Sequence, residues 1–394
     1  MDNHRYDVAV VGGGMLGSPT ARHLADAGCD VVLIGQREPT DHRTHTGVFA
    51  SHHDIARVSR TIDPDPVRAW LAHRSVEQFD EVASRTGIRA VNGVGHLWVD
   101  APQVIDLLVV ADERFGLGCL RRSATDTVGS MPYLSLPDGL DTLYEPSPAG
   151  YVDPRAYVRA EVLAAADVGA TVVDALVGSV VGSGHAVEVG TDLGTVTADR
   201  VLLATGAFSS HGDTPVTGLD LEYALHTQLY VELSDDEADR LSGMPSIIAK
   251  FQDPLDDLYL TPPVVDSQGR TVFKIGTPQD DHVRMASDRL AAWFRTDGDP
   301  VVADRLEGIL AGLIPDLADL GRWTTSCVTT YTPSGHPAID WVDAGAGRIA
   351  CCIGGNGYAA KCAPALGELA AGMLLDQPWP TEVDRGLFRA AFAR

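Results

Sequence analysis

The chain has 394 residues, of which 45% are hydrophobic, and its formal net charge at pH 7 is −24. This length and composition are typical of a globular protein with two domains, and the negative charge argues against nucleic-acid binding, which needs a basic surface. The apolar runs are too short for a membrane span, and the first strand begins so early that we expect no secretory signal and a cytoplasmic location.

The N-terminal segment predicts a nucleotide-binding βαβ unit. Apolar runs at residues 7–11 and 30–34 predict two buried parallel strands, and residues 15–27 predict the helix between them. Glycines in the connecting turn would let a pyrophosphate approach the backbone, where the helix N-terminus faces its negative charge. The turn fits the pattern G-x-G-x-x-G, because it reads Gly12-Gly13-Gly14-Met15-Leu16-Gly17.

The second strand lacks the acidic residue that usually binds the ribose hydroxyls at its end. Gly35 stands at that position, and we expect Glu38 from the following loop, or water, to replace the acid. A later segment, RVLLATG at 200–206, resembles the Ala-Thr-Gly strand that passes near the cofactor in glutathione-reductase-type FAD proteins. This resemblance implies that Thr205 and Gly206 contact the cofactor, and nicotinamide-only enzymes usually lack such a strand.

The middle of the chain predicts a different domain. Between Leu221 and Gly276, strand-like runs alternate with turn residues, and the segment 266–270 (DSQGR) is typical of a hairpin turn. We predict an α/β fold, α+β overall, in which a glutathione-reductase-type FAD-binding Rossmann domain accompanies a substrate domain with a mostly antiparallel sheet. The FAD-binding domain would take residues 1–90, 150–215 and 325–394, and the substrate domain residues 91–149 and 216–324.

Four further segments carry a resemblance to a known family. They are SHHDIARVSR at 51–60, FKIG at 273–276, CVTTYTP at 327–333 and GGNGYAAK at 354–361. Together they resemble the monomeric sarcosine oxidase and N-methyltryptophan oxidase family of FAD-dependent, D-amino-acid-oxidase-like oxidoreductases. The chain has only three lysines, and two of them, Lys274 and Lys361, fall on family positions, which chance would rarely produce.

The resemblance implies that FAD is bound covalently. A family cysteine carries the flavin through a thioether to the 8α-methyl group, and Cys327 matches it. His53 and Arg57 fall on basic positions beside the flavin. The Gly-rich turn would contact the pyrimidine edge of the flavin through Gly354, Gly355 and Gly357, close to Lys361. The six cysteines form no C-x-x-C pair and no metal-ligand spacing, so we expect no metal site.

The resemblance also assigns catalytic roles. Lys274 would lie over the flavin face and activate oxygen, while Arg60 and Lys361 would hold a substrate carboxylate. Tyr259 matches a family tyrosine on the sheet upstream of Lys274.

The substrate side departs from the family pattern at two positions. Pro278 replaces a family histidine, and Thr329 replaces a family tyrosine. Both changes predict a pocket larger than one built for sarcosine. We therefore expect oxidation of a C–N bond in a secondary or cyclic amine bearing a carboxylate, which gives an imine while oxygen is reduced to hydrogen peroxide.

Other functions stay open at this point. A flavin amine dehydrogenase would use another electron acceptor, and an enzyme like D-amino acid oxidase or glycine oxidase would deaminate primary amines. A flavin-bearing subunit without turnover and a nicotinamide-dependent dehydrogenase are further alternatives. The expected partners are a small-molecule amine and molecular oxygen, with no nucleic acid or membrane, and the protein would be a monomer or small homo-oligomer.

Overall fold

The structure is a computed structural model that describes residues 4–251, 253–278, 281–343 and 346–393. Its helices are α1 (Gly17–Asp26), α2 (Pro66–Thr86), α3 (Pro102–Phe115), α4 (Ala124–Ser130), α5 (Pro154–Asp167), α6 (Asp235–Arg240), α7 (Ser287–Phe294), α8 (Pro300–Leu313) and α9 (Ala359–Leu374). Its strands are β1 (Arg5–Val11), β2 (Val31–Ile34), β3 (Arg57–Ser59), β4 (Val91–Asn92), β5 (His96–Asp100), β6 (Leu120–Ser123), β7 (Asp141–Glu145), β8 (Gly150–Val152), β9 (Thr171–Val173), β10 (Val177–Ser183), β11 (Ala186–Thr191), β12 (Gly194–Leu203), β13 (Glu222–Leu233), β14 (Ser246–Ala249), β15 (Leu258–Leu260), β16 (Val264–Val265), β17 (Thr271–Gly276), β18 (Asp319–Tyr331), β19 (Ala338–Trp341) and β20 (Ile349–Ile353).

An eight-stranded sheet contains the βαβ unit that the N-terminal segment predicts. Its order is β10-β11-β12-β1-β2-β9, with β20 paired to β12 and β19 paired to β20. β1 is parallel to both β2 and β12, and α1 connects β1 to β2. Helices α5 and α9 pack against α1. The apolar runs of β1 and β2 are buried because helices and strands cover the sheet, as is typical of parallel sheets.

A nine-stranded sheet forms the second layer of the molecule. Its order is β18-β13-β17-β15-β14-β5-β7-β6, with β16 paired to β17. Among the described residues, its pairs are antiparallel apart from β14 with β5. Asp266 accepts hydrogen bonds from the backbone amides of Gln268 and Arg270, at 2.8 and 3.0 Å, and so closes the turn between β16 and β17. The hairpin turn predicted at 266–270 is therefore confirmed.

The domain boundary predicted at residue 325 divides a single strand. β18 spans Asp319–Tyr331 and pairs with β13 along its whole length. Residues 325–331 therefore belong to the nine-stranded sheet and not with the FAD-binding segments, which is a correction to the predicted division. The placement of these residues follows from the pairing of β18 with β13, which a local sequence pattern does not reveal.

A small sheet joins the two large ones. Its order is β3-β8-β4, and β3 carries Arg57 at its start. β3 also packs against α9 and against β14 of the nine-stranded sheet. The basic segment 51–60 is thereby held between the two large sheets.

Within the described ranges, no helix is long and apolar enough to cross a membrane. Likewise, no group of three or more His, Cys, Asp or Glu side chains in those ranges could hold a metal ion.

Candidate cofactor and substrate site

A long cavity of about 410 Å³ runs from the glycine turn ahead of α1 to strands β13, β15 and β18. The sequence-predicted residues that line it are Gly12, Gly13, Gly14, Met15, Leu16, His53, Arg57, Arg60, Thr205, Gly206, Tyr259, Gly354, Gly355, Gly357 and Lys361. Four predicted residues are not part of the lining, namely Gly17, Glu38, Lys274 and Cys327. The cavity thus brings together residues from both ends and the middle of the chain.

The turn between β1 and α1 needs glycine for steric reasons. Gly12 has a φ of 109°, and a Cβ there would clash with the carbonyl oxygen of Ala204 at the end of β12. A Cβ at Gly17 would clash with the carbonyl oxygen of Gly12. Gly13 has open space where its Cβ would lie. The glycines therefore bring β1, α1 and β12 into close contact and leave the backbone of the turn accessible to a ligand.

Glu38, which we expected to replace the ribose-binding acid, is not among the residues that line the cavity. Its side chain is exposed, and its carboxylate lies 2.6 Å from Arg155. An acid at Gly35 is also excluded, because a Cβ there would lie 2.7 Å from the backbone nitrogen of Gly13. Gln36 lines the cavity instead, and its side-chain oxygen accepts a backbone hydrogen bond at 3.1 Å. Sequence analysis missed Gln36 because it looked for an acid.

Asp54 joins Arg57 to Lys274 at one end of the cavity. Its Oδ2 atom lies 2.7 Å from Lys274 Nζ and 2.6 Å from Arg57 Nε. Lys274 is fully buried, and its ammonium group also donates to the carbonyl of Ala56. Burial lowers the pKa of Lys274 to about 8, although Asp54 opposes this shift. Lys274 is therefore not among the lining residues. It reaches the lining through Asp54 to Arg57, and its Nζ atom lies 5.8 Å from the ring centre of Tyr259.

Asp63 joins Arg60 to Lys361 in the same way. Its Oδ2 atom lies 2.7 Å from Lys361 Nζ and 3.3 Å from Arg60 Nη2. The guanidinium of Arg60 lies 4.7 Å from the ring centre of Trp98. Burial and the nearby charge of Arg60 lower the pKa of Lys361, and Asp63 opposes them. The predicted cation pair is therefore present, but it shares a buried anion that the sequence analysis did not identify.

Comparison with known proteins identifies the cofactor. The sequence model of the FAD dependent oxidoreductase family matches residues 7–373, which include every element that lines the cavity. The chain belongs to this family. The predicted dependence on FAD is thereby confirmed, and the predicted family resemblance agrees with it.

Curated relatives and solved structures agree with the family. N-methyl-L-tryptophan oxidase from Yersinia pestis is 23% identical over 386 residues, covering 96% of this chain and 97% of that protein. The structure of NikD, described as an unusual amino acid oxidase essential for nikkomycin biosynthesis, superposes with a TM-score of 0.77 at 21% identity over 100% of this chain and 99% of that one. L-proline dehydrogenase from P. horikoshii gives a TM-score of 0.71 at 18% identity, with 95% and 94% of the two chains covered. These structures confirm the predicted fold.

The cavity of this FAD-dependent oxidoreductase contains unpaired polar groups that fit the cofactor. His52 Nδ1 and His53 Nε2 are buried, and neither has a hydrogen-bond partner among the described residues. Both side chains line the cavity next to the glycine turn. Burial lowers the pKa of His52 to about 3 and that of His53 to about 4, so both rings are neutral at pH 7. A bound FAD would supply the missing partners. His52 was missed because the sequence analysis considered only its neighbour.

Cys327 lies just outside the cavity wall. It is buried, and Arg57 Nη2 donates a hydrogen bond to its Sγ atom at 3.2 Å. The next two residues on β18, Val328 and Thr329, line the cavity. The thiol is thus beside a fixed positive charge and one residue away from the cavity lining.

The end of the cavity at the nine-stranded sheet is lined by the rings of Tyr259 and His226 and by smaller residues. Pro278 and Thr329, which replace larger family residues, both line it. Tyr259 lines it as well, and its hydroxyl accepts a hydrogen bond of 3.2 Å from Gln228 Nε2. His226 is a further lining residue that sequence analysis did not identify, and its pKa is lowered to about 4 by burial.

Proposed function

We propose that this protein oxidises the C–N bond of a secondary or cyclic amine that bears a carboxylate. The observation that carries the proposal is the pair Arg60 and Lys361, which lies on the cavity wall with Asp63 behind it. Asp63 is the carboxylate that both cations contact directly, whereas Glu145, the next buried carboxylate, is held by the backbone amides of Thr61 and Ile62 and acts on Arg60 without an ion pair. The direct contacts of the two cations therefore leave a surplus of positive charge. A ligand with a single carboxylate would neutralise this surplus, and buried charge without such a partner is costly.

The hydrogen bonds of Arg60 support the same conclusion. Its Nε atom is buried and has no partner among the described residues, and its Nη2 bond to Asp63 is long at 3.3 Å. A guanidinium presents five N–H donors in a fixed plane that matches a carboxylate. Arg60 therefore has donors left for an anion in the cavity, where Lys361 can bind a second oxygen.

The surrounding charge favours the reactive form of the amine. When bound, FAD would take a hydride from the carbon next to the nitrogen while the nitrogen gives up a proton, and this requires a neutral nitrogen with a free lone pair. Arg57, Arg60 and Lys361 are the cations of the cavity wall. Positive charge close to an ammonium group lowers its pKa, so these residues favour loss of its proton. The imine product would then hydrolyse or rearrange.

The substrate we infer is larger than sarcosine. Pro278 and Thr329 line the cavity at positions where larger side chains would narrow it. N-methyl-L-tryptophan oxidase, a relative over nearly the whole chain, is named for a bulky N-methyl amino acid. Size and charge together favour an N-alkyl or cyclic amino acid.

Covalent attachment of FAD at Cys327 is the second part of the proposal. The step needs a thiolate close to the flavin and a cation that stabilises it. Arg57 supplies that cation at 3.2 Å from Sγ. Oxygen as the electron acceptor, a cytoplasmic location and a monomeric or small oligomeric state stay predictions from the sequence.

One observation favours a second candidate, a dehydrogenase with a non-oxygen acceptor. Lys274 is paired with Asp54 behind the cavity wall, so its charge is partly neutralised where oxygen would react. Mixing the anaerobically reduced enzyme with aerated buffer in a stopped-flow instrument separates the two. Reoxidation within the turnover time supports an oxidase, and reoxidation far slower than turnover with an artificial acceptor supports a dehydrogenase.

Anaerobic bleaching of the flavin absorbance tests the proposed substrate class. The panel contains N-methyl amino acids, cyclic imino acids, glycine and primary D-amino acids. We expect rapid bleaching by N-alkyl or cyclic amino acids larger than sarcosine. Faster bleaching by glycine or by primary D-amino acids would instead support deamination of primary amines.

A further inference from the structure

Asp54 is the centre of a buried polar network that the proposed chemistry has not yet used. It is 2% exposed, and its two oxygens have four close partners, namely three side chains and the backbone amide of Ile55, which donates to Oδ1 at 2.7 Å. Oδ2 contacts Lys274 Nζ at 2.7 Å and Arg57 Nε at 2.6 Å, while Oδ1 accepts a hydrogen bond of 2.9 Å from the hydroxyl of Tyr230. One carboxylate thus organises two cations and a tyrosine.

No other acid shares this task within the described residues. The ion pairs of Lys274 and Arg57 there both go to Asp54, and the second acceptor of Lys274 is the neutral carbonyl of Ala56. Lys274 has no solvent contact that could replace the carboxylate. A fully buried ammonium without a counter-ion loses its proton, because burial disfavours the charged form.

The network reaches the cavity at two points. Arg57 itself lines the cavity. Gln228 Nε2 lies 3.5 Å from Asp54 Oδ2 and donates to the Tyr259 hydroxyl at 3.2 Å, and Tyr259 also lines the cavity. The carboxylate of Asp54 therefore connects Lys274 with two groups that line the cavity.

The other groups that face Lys274 do not provide a negative charge at neutral pH. The pKa of Tyr230 is raised well above its usual value by burial and by Asp54, and burial likewise raises that of Tyr259. His226 is neutral because burial lowers its pKa to about 4. Arg57 is a cation. Cys327 Sγ, which accepts a hydrogen bond from Arg57 at 3.2 Å, acts on the pKa of Lys274 less than Asp54 does and would be a neutral thioether in the proposed holoenzyme. Asp54 is thus the anion on which the charge of Lys274 depends.

We propose that Asp54 is a positioning residue that keeps Lys274 protonated and fixes Arg57, and through Gln228 also Tyr259, at the cavity wall. The part that concerns Lys274 and oxygen rests on the proposed oxidase function. The part that concerns the charge of Lys274 does not, and the two parts can be tested separately.

The first test is the pH dependence of reoxidation of the reduced enzyme, with Lys274→Met as the baseline. The difference in reoxidation rate between the wild type and Lys274→Met should fall as the pH rises through about 8, because the ammonium of Lys274 loses its proton there. The pH at which half of this difference is lost is the midpoint. Asp54→Asn should move this midpoint down by one pH unit or more, and Asp54→Glu should keep it near the wild-type value. An unchanged midpoint in Asp54→Asn contradicts the proposal. If Lys274→Met is reoxidised as fast as the wild type, this contradicts a role of Lys274 in the reaction with oxygen, and the second test decides the charge of Lys274.

The second test measures unfolding of the full chain between pH 6.5 and 9, where no turnover is involved. The folded-state pKa of Lys274 in Asp54→Asn should lie far below the unfolded value of about 10.4. The unfolded state then binds more protons in the interval, so the stability of Asp54→Asn should rise with pH. Asp54→Asn/Lys274→Met should lack this extra rise. Parallel curves for the two variants overturn the proposal. If Asp54→Asn fails to fold, recovery of folding on adding Lys274→Met supports it, and no recovery contradicts it.

Discussion

The ammonium group of Lys361 lies 2.7 Å from the carboxylate of Asp63, and both side chains are buried. Because Asp63 also contacts Arg60 at 3.3 Å, the two cations that would bind substrate are held by one anion. The site is thus preorganised before a ligand arrives, yet its direct ion pairs provide one carboxylate for two cations. This charge state leads to the first prediction.

Replacing Asp63 by Asn should destabilise the ligand-free protein by about 3–5 kcal/mol, because two buried cations lose their partner. A carboxylate ligand should restore part of this loss, since it can replace the missing anion. Urea unfolding with and without an unreactive carboxylate analogue of the best substrate measures both effects. Asp65→Asn is the matched control, because an asparagine can still cap α2 as Asp65 does. Equal loss of stability in the two variants would show that the charge of Asp63 is unimportant.

The glycine turn should respond differently at two adjacent positions. Gly12→Ala should destabilise the protein by about 1–3 kcal/mol, because the residue has positive φ and its Cβ would clash with Ala204. Gly13→Ala meets no atom within 4 Å, so its stability should change by less than about 0.5 kcal/mol. It should nonetheless retain less FAD, since the methyl group enters the cavity. Thermal unfolding and the flavin-to-protein absorbance ratio report the two effects. Normal FAD content in Gly13→Ala would exclude close approach of the cofactor there.

Cys327→Ala should abolish covalent attachment of FAD. Mass spectrometry of the acid-denatured wild type should find the mass of the chain plus FAD, whereas the variant should have the mass of the bare chain. Cys119→Ala, a change on a half-buried cysteine outside the cavity, is the control that should keep the link. Release of all flavin from the denatured wild type would refute the assignment.

Lys274→Met should slow reoxidation of the reduced enzyme by about 10²-fold, the usual effect of removing one fixed electrostatic contact from a reaction centre. Anaerobic reduction by substrate should change far less, because Lys274 is not part of the cavity lining. Rapid mixing measures both half-reactions on the same preparation. Equal slowing of the two half-reactions would show that Lys274 does not act specifically on the reaction of the reduced enzyme with oxygen.

Features with local sequence signals were predictable. The βαβ unit follows from apolar runs that flank a glycine turn, and the turn at 266–270 follows from its own residues. Gly12 and Gly17 are needed for contacts with the immediate surroundings, and the motif therefore located them correctly. Such signals depend on residues that are neighbours in the chain.

The ion pairs behind the cavity could not be predicted in the same way. Asp54 and Asp63 each lie three residues from an arginine, a spacing that the sequence shows. Their lysine partners are 220 and 298 residues away, and only the packing of β3 between α9 and the nine-stranded sheet brings them together.

The most direct test of the central claim compares the best amine substrate with its carboxamide in the wild type, Arg60→Met and Lys361→Met. Binding of the acid should weaken by about 2–5 kcal/mol in each variant, because removal of one partner leaves a charge unpaired. Binding of the uncharged carboxamide should change little. This account predicts that both variants lose the preference for the acid, measured as the ratio of the anaerobic dissociation constants of the carboxamide and the acid. A wild-type enzyme that binds the carboxamide as tightly as the acid would contradict it.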